Sequence, residues 1–126
     1  MDSLKYIIFL LFFSYLPLYA NYLDGSSVDL QILDKVTARI TNLNILVGEK
    51  YYFDSLEIEI FDCKKKPPEE IPENYVLLSI KEKLKNDNHK QIFQGWMLSS
   101  SPSLSPFEHP TYDIWIKDCN ILIDSE

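Results

Sequence analysis

The chain has 126 residues, with 19 acidic against 12 basic side chains and a net charge of −7. An excess of carboxylates argues against nucleic acid or an anionic lipid surface as a partner, since both select for basic patches. The length suffices for one compact domain and is too short for two.

The first 20 residues carry Lys5 and then the apolar run Tyr6 to Phe13, followed by Leu16-Pro17-Leu18-Tyr19-Ala20. A weakly basic start, a short apolar stretch and a small residue at its end predict a secretory signal peptide over 1–20, with a cut after Ala20. The run is shorter than the span of about 20 residues that a membrane helix needs, so the mature chain is not expected to be membrane-embedded. The expected location is periplasmic or secreted, and residues 21–126 form one domain. Removing Asp2 and Lys5 together leaves the net charge unchanged.

Strict alternation of apolar and polar residues then recurs along the chain. Val28, Leu30 and Ile32 share one face, as do Leu43, Ile45 and Val47, then Leu56, Ile58 and Ile60, then Val76, Leu78 and Ile80. Segments 92–98 and 112–118 complete the set. A period of two predicts strands, and no segment keeps helical spacing beyond about two turns. The fold class is therefore all-β: a small antiparallel β-sandwich or barrel-like domain of six to eight strands. Reversals are expected at Asp34 to Ala38, Gly48-Glu49, Asp54-Ser55 and Asn86-Asp87-Asn88, where turn residues cluster. Lys64 to Glu73 holds three prolines, so it is expected to be an extended, partly polyproline-like connection. Tyr51, Tyr52 and Phe53 read as packing residues.

Two cysteines, Cys63 and Cys119, lie far apart in an exported chain, and an even thiol count there predicts a disulfide. A redox pair would want two thiols separated by two residues. Two Cys and two His without ligand spacing predict no metal site, and no cofactor is expected.

The segment from Gly95 to Cys119 concentrates unusual residues: both tryptophans, one of two histidines and three of seven prolines. His109 with Asp113 and a serine between Ser99 and Ser105 has the components of a nucleophilic triad. The strained Gly-x-Ser-x-Gly turn is missing, however, and several neighbouring serines suggest a polar loop. In the structural reading, His109 and Asp113 hold the entrance to the last strand through bonds to loop amides. Glu108 and Asp113 could serve as paired carboxylates for glycoside cleavage only if they face one another across a groove. Trp96 has the opposite parity to Met97, and if Ile114 and Ile116 point inward, Trp115 points towards the other face, beside Asp113 and Lys117. In the structural reading a loop from Ser99 to Pro106 folds over Trp115 as a second small core, and a covered indole is the expected state of each tryptophan. The candidate binding surface comprises Trp96, His109, Tyr112, Asp113 and Trp115, with aromatic rings suited to protein partners and to sugars.

The strings LDKVTARI at residues 33–40, PPEE-x-PE at 67–73, GWM-x-x-SSP at 95–102 and EHP-x-YD-x-W-x-x-DC at 108–119 resemble a bacterial exported family, domain of unknown function 2155. The resemblance spans about Leu33 to Cys119, and both cysteines fall on family positions. Ala38 and Asp54 stand where family sequences tend to have glycine, which implies a left-handed backbone there. The resemblance implies no activity. The expected function is a non-catalytic protein-binding or scaffolding module of the cell envelope. The alternative is a glycan-binding module or a small glycan-directed hydrolase.

Overall fold

The computed structural model describes residues 2–13, 21–101 and 107–122. The expected cut after Ala20 and the loop serines Ser103 and Ser105 lie outside these residues. A helix, α1, covers Asp2–Phe13, and no described helix is long and apolar enough to cross a membrane.

Eight strands follow among the described residues: β1 (Leu23–Asp24), β2 (Ser27–Asp34), β3 (Arg39–Leu46), β4 (Lys50–Phe53), β5 (Leu56–Lys65), β6 (Asn74–Lys83), β7 (His89–Leu98) and β8 (Tyr112–Asn120). They form two antiparallel sheets. In one, β5 pairs with β6 and β6 with β7, while the short β1 and β4 share the other side of β5. The second sheet runs β3-β2-β8. The inward residues expected from alternation meet between the sheets. Leu30 and Ile32 of β2, Ile58 and Ile60 of β5, and Leu78 and Ile80 of β6 are all buried, with Ile114 and Ile116 of β8 closing the core. Each such side chain contributes roughly 1.5–3 kcal/mol by leaving water.

Cys63 on β5 and Cys119 on β8 are joined across the core, Cα atoms 6.0 Å apart, and both are fully buried. A closed loop of this size stabilises the fold by about 4 kcal/mol in the chain-entropy view. Gly25 sits against the bridge: any Cβ there would run into both sulfurs. Its amide donates to the Cys63 carbonyl at 2.8 Å, and the next amide, Ser26, donates to the Asn120 carbonyl at 2.8 Å. The chain therefore passes from one sheet to the other beside the disulfide.

The turns fall where the sequence places them, and three need a left-handed backbone without glycine: Ala38 (φ 60°), Asp54 (φ 51°) and Asp87 (φ 64°). Asp34 shapes the first turn by accepting the Val36 and Thr37 amides at 2.9 and 3.2 Å. Two expectations are corrected. Lys64 to Glu73 is not an extended run: Lys64 and Lys65 still belong to β5, Glu70 N–H closes a turn onto the Pro67 carbonyl, and Lys66 N–H reaches the Glu73 carbonyl. Tyr51, Tyr52 and Phe53 belong to the four-residue strand β4, too short to show alternation. Only Phe53 packs on the core, while Tyr52 is exposed.

A left-handed alanine is strained by about 1 kcal/mol relative to glycine. Ala38 is exposed, so removing its methyl group uncovers little apolar surface. Ala38→Gly is therefore expected to stabilise the fold by about 1 kcal/mol. Thermal unfolding checks this through a melting temperature raised by several degrees.

Candidate functional site

The five residues expected to share a surface are divided by the fold. Trp96 lies on the outer face of the β1/β4-β5-β6-β7 sheet and Trp115 on the outer face of the β3-β2-β8 sheet, 41% and 40% exposed. Asp113 shares the face of Trp115. His109 and Tyr112, by contrast, are buried at one end of the sandwich. Membership of a common accessible surface is corrected for these two, because alternation turns Tyr112 to the same side as Ile114 and draws His109 in behind it.

Around His109 the loop before β8 is held tightly. Nδ1 accepts the amides of Thr111 at 3.0 Å and Tyr112 at 3.2 Å, which leaves the ring hydrogen of the neutral imidazole on Nε2. Nε2 is buried and lies 3.1 Å from the Glu82 carboxylate, with no hydrogen bond to it. The ring stacks on Phe107 and leans on Tyr112. Lys35 secures the same loop, donating from Nζ to the His109 carbonyl at 2.6 Å and from its amide to the Thr111 carbonyl at 2.8 Å. A triad histidine would donate from Nδ1 to an aspartate. Here Nδ1 accepts, and Asp113 lies 3.8 Å from Lys35 Nζ instead. Ser99 and Ser100, which directly follow β7, are bound elsewhere. Both donate to Glu73, as does the Asn74 amide at 3.0 Å. Burial raises the Glu73 carboxyl, but the bonds from Ser100, Ser99 and Asn74 outweigh it and hold the group below its ordinary value.

Tyr112 completes the buried end. Its ring meets Phe53 edge-on, and its hydroxyl donates to Asp54 Oδ2 at 2.5 Å. The bond to Asp54, then burial, push the phenol up to about 12. Asp54, Glu82 and Lys35 were not singled out from sequence. Only the missing glycine at Asp54 signalled that its position was unusual.

Trp96 has different neighbours. With Tyr22, Tyr75, Asp62 and Lys64 it lines a shallow, predominantly apolar groove of about 380 Å³. Tyr22 and Tyr75 meet edge-to-face with ring centroids 5.6 Å apart. Lys64 bonds to Asp24 and lies 3.7 Å from Asp62, whose other oxygen accepts the Cys63 amide at 2.8 Å. The polar groups at the rim are thus largely occupied with one another. Trp115 lines a separate, more polar depression of about 500 Å³ with Pro72, Ser99 and Ser100, and Lys117 Nζ sits 5.5 Å above its ring. Pro102 to Pro106, the rest of the loop expected over Trp115, lies outside the described residues. No group of three or more His, Cys, Asp or Glu suited to a metal ion occurs among the described residues.

A phenol held up at about 12 against an ordinary value of about 10 keeps its proton more firmly when folded than when unfolded. Its contribution to stability is present below pH 10 and is lost as pH rises from 10 towards 12. Tyr112→Phe is expected to destabilise the protein by about 1 kcal/mol at neutral pH and to flatten this alkaline loss. Denaturant unfolding at pH 7 and across pH 9–12 measures both.

Comparison with known proteins follows from this geometry without adding an activity. The sequence profile of a bacterial family described as uncharacterized conserved protein, DUF2155, matches residues 28–119. An uncharacterized protein of Rickettsia prowazekii is 39% identical over 101 residues, 80% of this chain and 63% of the relative, so the chain spans less than two thirds of that protein's length. No solved structure matches. With the profile covering both cysteines, both tryptophans and seven of the eight strands, the chain belongs to the DUF2155 family of bacterial proteins.

Proposed function

We propose that the chain is an exported, non-catalytic binding domain of the cell envelope that holds a protein partner in the groove around Trp96. The observation that carries this reading is the groove itself: three aromatic rings from separate parts of the chain converge on an open, apolar depression on the outside of a rigid sheet. Aromatic side chains with apolar bodies and polar tips are the usual anchors of protein interfaces, and an apolar side chain of a partner would fill the depression. Export is supported by the apolar helix over Asp2–Phe13 and by the bridge between Cys63 and Cys119, since disulfides persist in oxidising compartments.

A glycan is the second reading, favoured by the exposed Trp96 ring beside the Asp62 carboxylate. Sugar recognition also needs free donors and acceptors for hydroxyl groups. At this rim Lys64, Asp24 and Asp62 already satisfy one another, which favours the apolar side chains of a protein.

The test places a photo-crosslinking amino acid at Tyr22, on the groove wall, in cells. One recurrent protein adduct is expected, and Trp96→Ala should reduce it at least about tenfold, as loss of an aromatic anchor does. An adduct indifferent to Trp96→Ala, or no protein adduct alongside binding to purified envelope glycans, would overturn the protein reading. Export has its own check: both thiols should resist alkylation in freshly isolated, unreduced protein and react after reduction.

A further inference from the structure

The two sheets end in long edge strands that differ in kind. β7 is the edge of the larger sheet. Its pairing with β6 is interrupted by an irregularity near Ile80/Lys81, it carries Lys90, and Gly95 adopts φ 154°. A bulge, a lysine and a glycine are devices that discourage an edge from pairing with another chain. The smaller sheet has two edges: β8 carries Lys117 and its pairing with β2 shifts register between Asp29 and Leu30, whereas β3 has neither bulge, lysine nor glycine. It pairs with β2 in unbroken register over eight residues, and among the described residues no strand lies on its other side. From Ile40 to Val47 it carries no charge in a chain of net −7. Ile40 and Leu46, on its outer face, are 57% and 49% exposed.

The order of residues in β3 selects the occupant. Read outward from Leu43, the strand is nearly symmetrical: Asn42 mirrors Asn44, Thr41 mirrors Ile45, and Ile40 mirrors Leu46. An antiparallel partner related by a twofold axis at Leu43 would therefore set like against like at every pair from Ile40 to Leu46 except Thr41 with Ile45, which match only in being β-branched. Ile40 would face Leu46 of the second copy and Asn42 its Asn44 on the outside, with Leu43 facing its own counterpart on the inside. Directly opposed side chains in an antiparallel pair have Cβ atoms about 4.5–5.5 Å apart, so each of these pairs would be in contact. At either end Arg39 would stand level with Val47 of the second copy, two residues from Glu49, a carboxylate of opposite charge.

We infer that β3 is a self-association edge. Two copies pair their β3 strands antiparallel about Leu43 and join their three-stranded sheets into one continuous sheet. Closed twofold pairing also occupies the edge in both copies, which removes a template for open-ended aggregation.

Sedimentation equilibrium of the disulfide-bonded protein tests this. A monomer–dimer equilibrium is expected, with Ile40→Lys weakening the dimer at least about tenfold because two charges enter an apolar contact. Adding Leu46→Glu to Ile40→Lys should recover most of that loss, since each new ammonium then faces a new carboxylate on the other copy. In the unsubstituted protein the β3 amides should exchange with solvent more slowly as concentration rises, a readout that needs no variant. A monomer up to about 1 mM, the weak end of specific association, would overturn the inference. So would a dimer indifferent to Ile40→Lys, β3 exchange independent of concentration, or a double variant that fails to recover.

Discussion

The cross-core bridge between Cys63 and Cys119 is the constraint on which the rest of this structure depends. The apolar contacts between the two sheets are individually non-directional, and many slightly shifted packings would bury the same area. A covalent link between β5 and β8 removes that freedom, and the surrounding residues are adapted to it. Gly25 leaves the space that the two sulfurs fill, and the buried Asn74 accepts the Cys119 amide at 3.0 Å, tying β6 to β8 at the same level. The consequence reaches the surface. Asp62 and Lys64 flank Cys63 and, by strand parity, must point outward where Cys63 points in. Tyr22 precedes the short β1 that pairs with Lys64 and Lys65. The Trp96 groove is thus assembled on the back of the disulfide, and its walls are registered to the core through it.

Asp54 shows a second constraint, in which local strain and a distant contact are held by one residue. Its backbone occupies a region that glycine adopts without strain, and a glycine there would relax the β4–β5 turn. The same glycine would remove the acceptor of the Tyr112 hydroxyl, leaving a polar group at the edge of the buried end without its bond. Ala38 presents the same backbone angle with no such contact. The two positions look alike in the sequence, yet one carries uncompensated strain and the other carries strain tied to the packing of Phe53, Tyr112 and His109.

What the sequence made legible follows from the period of a strand. Alternation marked six of the eight strands and set each residue's side relative to its neighbours, so Trp96 was legible as opposite in parity to Met97, and Trp115 to Ile114 and Ile116, but their exposure was not. Alternation gives no information on which strands are neighbours. That is why two outward tryptophans on different sheets read as one surface. β1 and β4 are too short to show a period, and Tyr22 lies outside every alternating segment, with nothing to mark it as a groove wall. His109 was misplaced for a related reason. A histidine next to proline at a strand entrance reads as holding loop amides, which its Nδ1 does, but only the fold shows that Phe107 and Tyr112 enclose the ring and take it off the accessible surface.

The placement of the groove and of the β3 edge on different sheets has a mechanical meaning. β3 pairing would extend the smaller sheet along its hydrogen-bonding direction, whereas the groove opens on the outer face of the larger one. Neither surface covers the other, so occupation of one does not exclude the other. A pair of chains joined at β3 would present two Trp96 grooves on one rigid body. A partner that repeats its own anchor, such as an oligomer or a repeating envelope component, would then bind the second groove at an effective concentration set by geometry, without any additional contact in the groove. A shallow depression of this size gives weak binding alone, and doubling it on a shared sheet is a physical route by which so small a domain gains useful avidity.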